Sequence, residues 1–329
     1  MLIAVLQVLG GFLLLVWAAD RLVAGASATA RNLGVSPLII GLTIVGFGTS
    51  APELVVSATA SLRDNAGLAL GNAIGSNIAN LGLVLGLTAV FHPLMLESKA
   101  LKREYPLLLV IMLVCFFMVL DLRYSTSEGW VLLIGLIALF IWLIRLGLQR
   151  PGEDPLADEF EAEIPTGVPM KIAVFWLIVG LIVLPVSSRF LVEGAVTIAN
   201  TLGVTDTVIG LTVVALGTSL PELATAITSA LRREDDLAIG NIIGSNMFNL
   251  LGVLGIASVI RPVEAQAMVI QRDFPLMFIM TGVLLIAASD LGGPGRIGRG
   301  SALLLLSMFI GYQAMVWLGI TDFLFLASN

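Results

Sequence analysis

The sequence predicts an all-α membrane protein of ten transmembrane helices, arranged as two inverted five-helix repeats in which helices 2 and 7 are broken. Three observations carry this prediction. Hydrophobic residues make up 58% of the 329 and charged residues 12%, with a mean hydropathy of +1.02. The apolar residues fall into about ten runs, 2–20, 37–62, 67–90, 105–121, 129–148, 171–197, 205–231, 236–260, 274–290 and 301–320, and a spanning helix needs about 20 apolar residues to cross a core of about 30 Å. The chain also repeats itself without a gap at an offset of 169.

That offset aligns Leu22-Val23 with Leu191-Val192, Gly25-Ala26 with Gly194-Ala195, Glu53 with Glu222, and Asp121 with Asp290. It also aligns Arg103-Glu104-Tyr105-Pro106-Leu107 with Arg272-Asp273-Phe274-Pro275-Leu276. Repeats this long must be recognised before the fold is read. Five spans is an odd number, so the second copy starts on the opposite side of the bilayer, and the repeats are inverted. The domain reading is residues 1–148 for the first repeat, 149–170 for a linker and 171–329 for the second repeat.

Taken in order, the first run lacks a basic leader and continues into Asp20-Arg21 instead of a small-residue cleavage site, so it reads as a retained helix. The second run contains Gly48-Thr49-Ser50-Ala51-Pro52-Glu53, and the seventh contains Gly217-Thr218-Ser219-Leu220-Pro221-Glu222. Proline lacks an N–H for the carbonyl four residues back and its ring presses on that carbonyl, so the helix is expected to break at Pro52 and at Pro221. The third and eighth runs carry Gly71-Asn72 through Gly75-Ser76-Asn77 and Asn80, and Gly240-Asn241 through Gly244-Ser245-Asn246 and Asn249. Their glycines are expected to admit a neighbouring backbone. The linker is rich in Pro, Gly and acid (Glu153, Asp154, Asp158, Glu159, Glu161, Glu163) and lacks EF-hand spacing, so it reads as solvated.

Lysine and arginine set the orientation. With the N-terminus outside, the inward connections hold Arg21, Arg31, Lys99, Lys102, Arg103, Arg145, Arg150, Lys171, Arg232, Arg233, Arg296 and Arg299. Only Arg63, Arg123, Arg189, Arg261 and Arg272 then face outward, so both termini are expected on the extracytoplasmic side. Asp20, Arg189 and Glu193 read as interfacial charges near helix ends. The single Cys115 and the single His92 offer neither a disulfide nor a redox or zinc centre.

The chemistry concentrates at the two glutamates. A charge at the bilayer centre costs at least about 2.5 kcal/mol, and packing alone gives no reason to bury a carboxylate twice. Thr49 and Ser50 stand at i−4 and i−3 from Glu53 and share its helix face, and Asn72, Ser76 and Asn80 form a stripe at i, i+4 and i+8. Carbonyls freed by a broken helix persist at membrane depth only where they line a cavity or are buried in protein. Carboxylates, hydroxyls and carbonyls together make an oxygen site for a hard cation.

With both motifs in view, the chain resembles the calcium/cation antiporter superfamily, of the bacterial calcium/sodium exchanger type. The likeness spans essentially the whole chain and is carried by two full motifs in register, Gly41-Leu42-Thr43 to Asn80 and Gly210-Leu211-Thr212 to Asn249. It implies a core of helices 2, 3, 7 and 8 past which helices 1 and 6 slide. It further implies that Glu53 and Glu222 bridge calcium and contact sodium, that Thr49 and Thr218 offer backbone carbonyls, and that Ser50, Ser219, Ser76 and Ser245 offer oxygens to sodium, with Asn80 and Asn249 completing the centre. Some relatives carry Asp where this chain has Asn249, a departure that leaves two carboxylates and argues against potassium co-transport.

The resulting expectation is a secondary antiporter of the bacterial inner membrane that exchanges calcium for sodium by alternating access. It is not an enzyme, uses no cofactor beyond the transported ions, and needs the bilayer but neither nucleic acid nor an obligate protein partner. The alternative is a calcium/proton antiporter. An intramembrane protease, which pairs two aspartates around one proton, and a passive channel with an acidic ring fit the residues less well.

Overall fold

The computed structural model describes residues 1–35, 37–63, 66–95, 101–149, 168–202, 215–288 and 295–317. Its long helices are α1 (Leu2–Leu33), α2 (Ala51–Leu62), α3 (Ala66–Ala79), α4 (Leu101–Met118), α5 (Thr126–Gln149), α6 (Met170–Thr201), α7 (Leu220–Leu231), α8 (Asp235–Phe248), α9 (Phe274–Ala288) and α10 (Arg299–Trp317). Among the described residues, seven helical segments are long and apolar enough to cross a membrane, and eight if Gly41–Thr49 and Ala51–Leu62 form one bent span. Of the linker read at 149–170, residues 150–167 lie outside the described residues, while Gln149 closes α5 and Met170 opens α6.

The chain divides into two compact units that cut across the sequence repeats. One takes Met1–Pro52 and Leu143–Gly244, and the other Glu53–Trp142 and Ser245–Asn329.

In the first unit α1 packs along α6. Both helices are 32 residues long, about 48 Å at about 1.5 Å per residue. Leu15, Ala18, Ala19, Leu22, Val23, Ala26, Leu177 and Leu184 form the buried seam. A methyl built on Gly11 would lie 2.8 Å from Leu191 N, and one on Gly180 would lie 2.6 Å from Leu22 Cα. Gly25 meets Ala173 and Leu177 in the same way, and Gly194 meets Ala4 and Val8. Each of these contacts is the image of another at the 169 offset, and the early turns of each helix face the late turns of its partner. The two helices therefore run antiparallel, close enough that only glycine fits at the crossings.

The first span does not end at residue 20 as its charges suggested. α1 continues to Leu33, where Gly34 closes it in the left-handed conformation at φ 66°. The two charges stay inside the helix because both find partners: Asp20 pairs with Arg232, and the Arg21 guanidinium stacks 4.8 Å above Trp176. Arg189 and Glu193 likewise lie within α6, paired with each other at 2.7 Å. The reading of these charges as helix-end residues is thus corrected by the length of α1 and α6.

The second unit is tied by two short antiparallel strand pairs. β1 (Leu94–Met95) pairs with β4 (Arg296–Ile297), and β2 (Arg123–Tyr124) pairs with β3 (Val263–Glu264). Tyr124 anchors the second pair by donating to the Cys115 carbonyl at 2.6 Å. Phe116 sits edge-on to Phe274 at 5.5 Å, joining α4 to α9.

Candidate cation site

The two motif helices break at equivalent serines. Ser50 separates Gly46–Thr49 from α2 with φ −85° and ψ 8°, and Ser219 separates Ala215–Thr218 from α7 with φ −87° and ψ 2°. In the first copy the pieces meet at 50°. The break falls two residues before each proline, not at it. Pro52 and Pro221 are second residues of the new helix, where a missing N–H costs no hydrogen bond. The carbonyl of Gly48 still loses its i+4 donor, as expected.

Each break carries its glutamate into the first turn of the following helix. Glu53 and Glu222 are both 1% exposed. Within the first unit, Ser50 Oγ donates to Glu222 Oε1 at 3.0 Å, and Thr49 Oγ1 donates to Asn241 Oδ1 at 3.0 Å. The crossing that allows this is tight. A methyl on Gly41 would lie 2.9 Å from the Leu237 carbonyl oxygen, and one on Gly244 would meet the Leu42 carbonyl oxygen and lie 2.7 Å from Leu42 Cα. The glycine expectation therefore holds in the second repeat. Around Gly71 and Gly75 nothing among the described residues comes within 4 Å, and their expected partners by the offset, Gly210 and Leu211, lie outside the described residues. Thr218 is half-buried, whereas Ser219 is buried and its Oγ makes no hydrogen bond among the described residues.

Within the second unit, Asn72 Nδ2 donates to the Glu53 backbone carbonyl at 3.1 Å and to Ser57 Oγ at 2.9 Å, fixing the first turn of α2 against α3. Asn80 Nδ2 donates to Asn246 Oδ1 at 3.1 Å, and Asn249 Nδ2 donates to Asn77 Oδ1 at 3.1 Å. Asn80 and Asn249 each open a wider π turn, Asn80–Leu85 and Asn249–Val253. Such turns concentrate at functional sites. The Oδ1 atoms of both residues are buried without a hydrogen bond among the described residues. Ser76 and Ser245 are buried on α3 and α8.

The structure thus brings Ser50 to Glu222, and Asn80 and Asn249 to a pair of asparagines, Asn246 and Asn77, that sequence reasoning left out of the site. Their signal was present: Asn77 and Asn246 stand three residues before Asn80 and Asn249, on the same helix face. Among the described residues no three His, Cys, Asp or Glu side chains gather into a metal cluster. The donors available are carboxylate, hydroxyl, amide and backbone oxygens, which suit calcium and sodium rather than a transition metal.

A family model described as "Sodium/calcium exchanger protein" matches residues 3–149 and 172–318. CaxA of Alkalimonas amylolytica is 47% identical over 317 residues, covering 96% of this chain and 99% of that protein. The inner membrane protein YrbG of Escherichia coli (strain K12) is 41% identical over 319 residues, covering 96% and 98%. Solved structures of the sodium-calcium exchanger NCX_Mj superpose on the chain. The one soaked with zero sodium and calcium gives a TM-score of 0.83 at 33% identity, covering 96% of this chain and 99% of that one.

Proposed function

The chain belongs to the sodium/calcium exchanger protein family, and from that premise we propose that it is an antiporter exchanging calcium for sodium by alternating access. The observation that carries this is the pair of glutamates, Glu53 and Glu222, buried at equivalent positions just past equivalent helix breaks. On this reading the oxygen donors to the transported ions are Glu53, Glu222, Thr49, Thr218, Ser50, Ser219, Ser76, Ser245, Asn80 and Asn249. Bare carboxylates are costly in a low-dielectric site. The protein therefore changes its facing only when cations neutralise them, which yields exchange and not leak. With Asn249 in place of a third acid, two carboxylates match one calcium, and potassium is not required.

The same reading has ten spans in two inverted repeats. The antiparallel packing of α1 on α6 supports inversion. The pairings between connections support the alternation of spans. Asn32, at the end of α1, with the Val168 carbonyl joins the first connection to the fifth. β1 with β4 joins the third to the ninth, and β2 with β3 joins the fourth to the eighth. Each contact links odd to odd or even to even, which ten alternating spans require. With the positive charges placed inside, both termini lie outside the cytoplasm, in the inner membrane for a bacterial chain.

The test is calcium uptake by the purified protein in liposomes. An outward sodium gradient is expected to drive uptake at neutral pH without a proton gradient or potassium. Uptake driven by a pH gradient in sodium-free medium would establish the proton antiporter instead, and uptake indifferent to both gradients a channel.

A further inference from the structure

The asparagine pairs do more than join two helices. An amide group is nearly symmetric in shape but opposite in chemistry at its two ends: the oxygen ligates a cation, while the NH2 donates and repels one. An Asn ligand therefore works only if something decides which end faces the ion. In this chain the decision is made twice by the same device. Asn246 Oδ1 takes the NH2 of Asn80, and Asn77 Oδ1 takes the NH2 of Asn249, each at 3.1 Å. The two bonds exchange under the 169 offset. Asn77 is itself held, because its Nδ2 donates to the Asn246 carbonyl at 3.2 Å. All four side chains are buried, and the oxygens left over, Asn80 Oδ1 and Asn249 Oδ1, make no hydrogen bond among the described residues.

We propose that Asn77 and Asn246 are positioning residues that hold the amides of Asn249 and Asn80 oxygen-first toward the transported cation. The inference rests on reading Asn80 and Asn249 as ion ligands, and it adds the reason why asparagine can serve there. A carboxylate has two oxygens and needs no such partner, whereas an amide without one presents the wrong end in part of the population. The π turns that open at Asn80 and Asn249 hold the backbone at the same two residues, so side chain and main chain are fixed together.

The experiment is a double-mutant cycle on the full-length protein, measuring calcium affinity by titration and unfolding temperature in ion-free buffer. Asn77→Ala is expected to weaken calcium binding by about tenfold or more, the usual loss when an outer partner of a metal ligand is removed. In an Asn249→Asp background the same substitution is expected to cost under about threefold, since the carboxylate offers an oxygen either way round. An equal loss in both backgrounds would make Asn77 a purely structural residue and overturn the proposal, as would an Asn77→Ala protein that binds normally while Asn249→Ala does not. Normal calcium binding by Asn249→Ala would instead sink the underlying reading of the site. Should Asn77→Ala not fold, Asn246→Ala with Asn80→Asp runs the same cycle through the other pair.

Discussion

The two serines at the helix breaks are equivalent in sequence and in backbone angle, yet their hydroxyls are used differently, and this difference can be measured. Ser50 Oγ donates to the buried Glu222 carboxylate at 3.0 Å, whereas Ser219 Oγ is buried with no hydrogen bond among the described residues. A hydrogen bond to a charged group contributes about 1.5–3 kcal/mol, and an unsatisfied buried polar group costs about 1–3 kcal/mol. In ion-free detergent solution Ser50→Ala should therefore destabilise the protein by roughly 1.5–3 kcal/mol, while Ser219→Ala should be neutral or stabilising by up to about 1 kcal/mol. The contrast of roughly 1.5–4 kcal/mol is large beside ordinary surface substitutions. Thermal unfolding of the two variants, measured side by side with sodium and calcium chelated or exchanged out, reads it directly. With sodium present both variants should need more sodium for half-maximal exchange, because both hydroxyls are assigned to sodium. Equal shifts of the same sign without ions would refute the bond's energetic role. Unchanged sodium dependence in Ser219→Ala would remove that residue from the site.

Three further outcomes follow from other parts of the structure. Glu53→Gln and Glu222→Gln should each abolish exchange while leaving a folded protein, and two fully active variants in a liposome assay would end the assignment. Gly244→Ala places a methyl against the backbone of Leu42, which cannot swing aside as a side chain could, so it should destabilise by about 1–3 kcal/mol and impair exchange, while Gly311→Ala, with nothing described within 4 Å, serves as the neutral control in the same melting experiment. Burial lifts the Glu234 carboxyl, in the connection between α7 and α8, above its ordinary 4.5, against the pull of Ser27, Arg31 and Arg232. The folded protein then holds that proton more tightly than the unfolded chain, so stability is lost as pH rises through the window above 4.5. Glu234→Gln should melt higher than wild type at neutral pH and match it below 4.5, and parallel melting curves at every pH would contradict the burial cost.

The parts of this fold that were legible in the sequence are those set by local chemistry and by counting. A 169-residue offset foretells the reciprocal glycine contacts of α1 with α6, and a proline four residues past a glycine implies a lost backbone bond. Where the reading slipped, the missing information was a partner far along the chain. Asp20 and Arg21 look like the end of a span until Arg232 and Trp176 are known to meet them, and no local pattern announces residues 212 and 155 positions away. The breaks fall at Ser50 and Ser219 because a proline suits the start of a helix better than the end of one, a preference that the same motif carries but that the stronger signal of the missing N–H hid.

The site shows the same limit more sharply. Ligand classes and helical spacing pick out the carboxylates, hydroxyls and amides one residue at a time, and those choices need no knowledge of the fold. Orientation is different, because it belongs to pairs. Which end of the Asn80 amide is free depends on Asn246, and the end of the Asn249 amide on Asn77, across separations of 166 and 172 residues. Those separations straddle the repeat offset symmetrically, by three residues on either side, because in each copy the positioning asparagine precedes the ligand by three. A two-fold relation between copies turns that local i, i+3 pair into two reciprocal bonds between copies. The sequence therefore contains the rule for the pairing, and only the symmetric packing of α3 and α8 turns it into a site whose amide oxygens point one way.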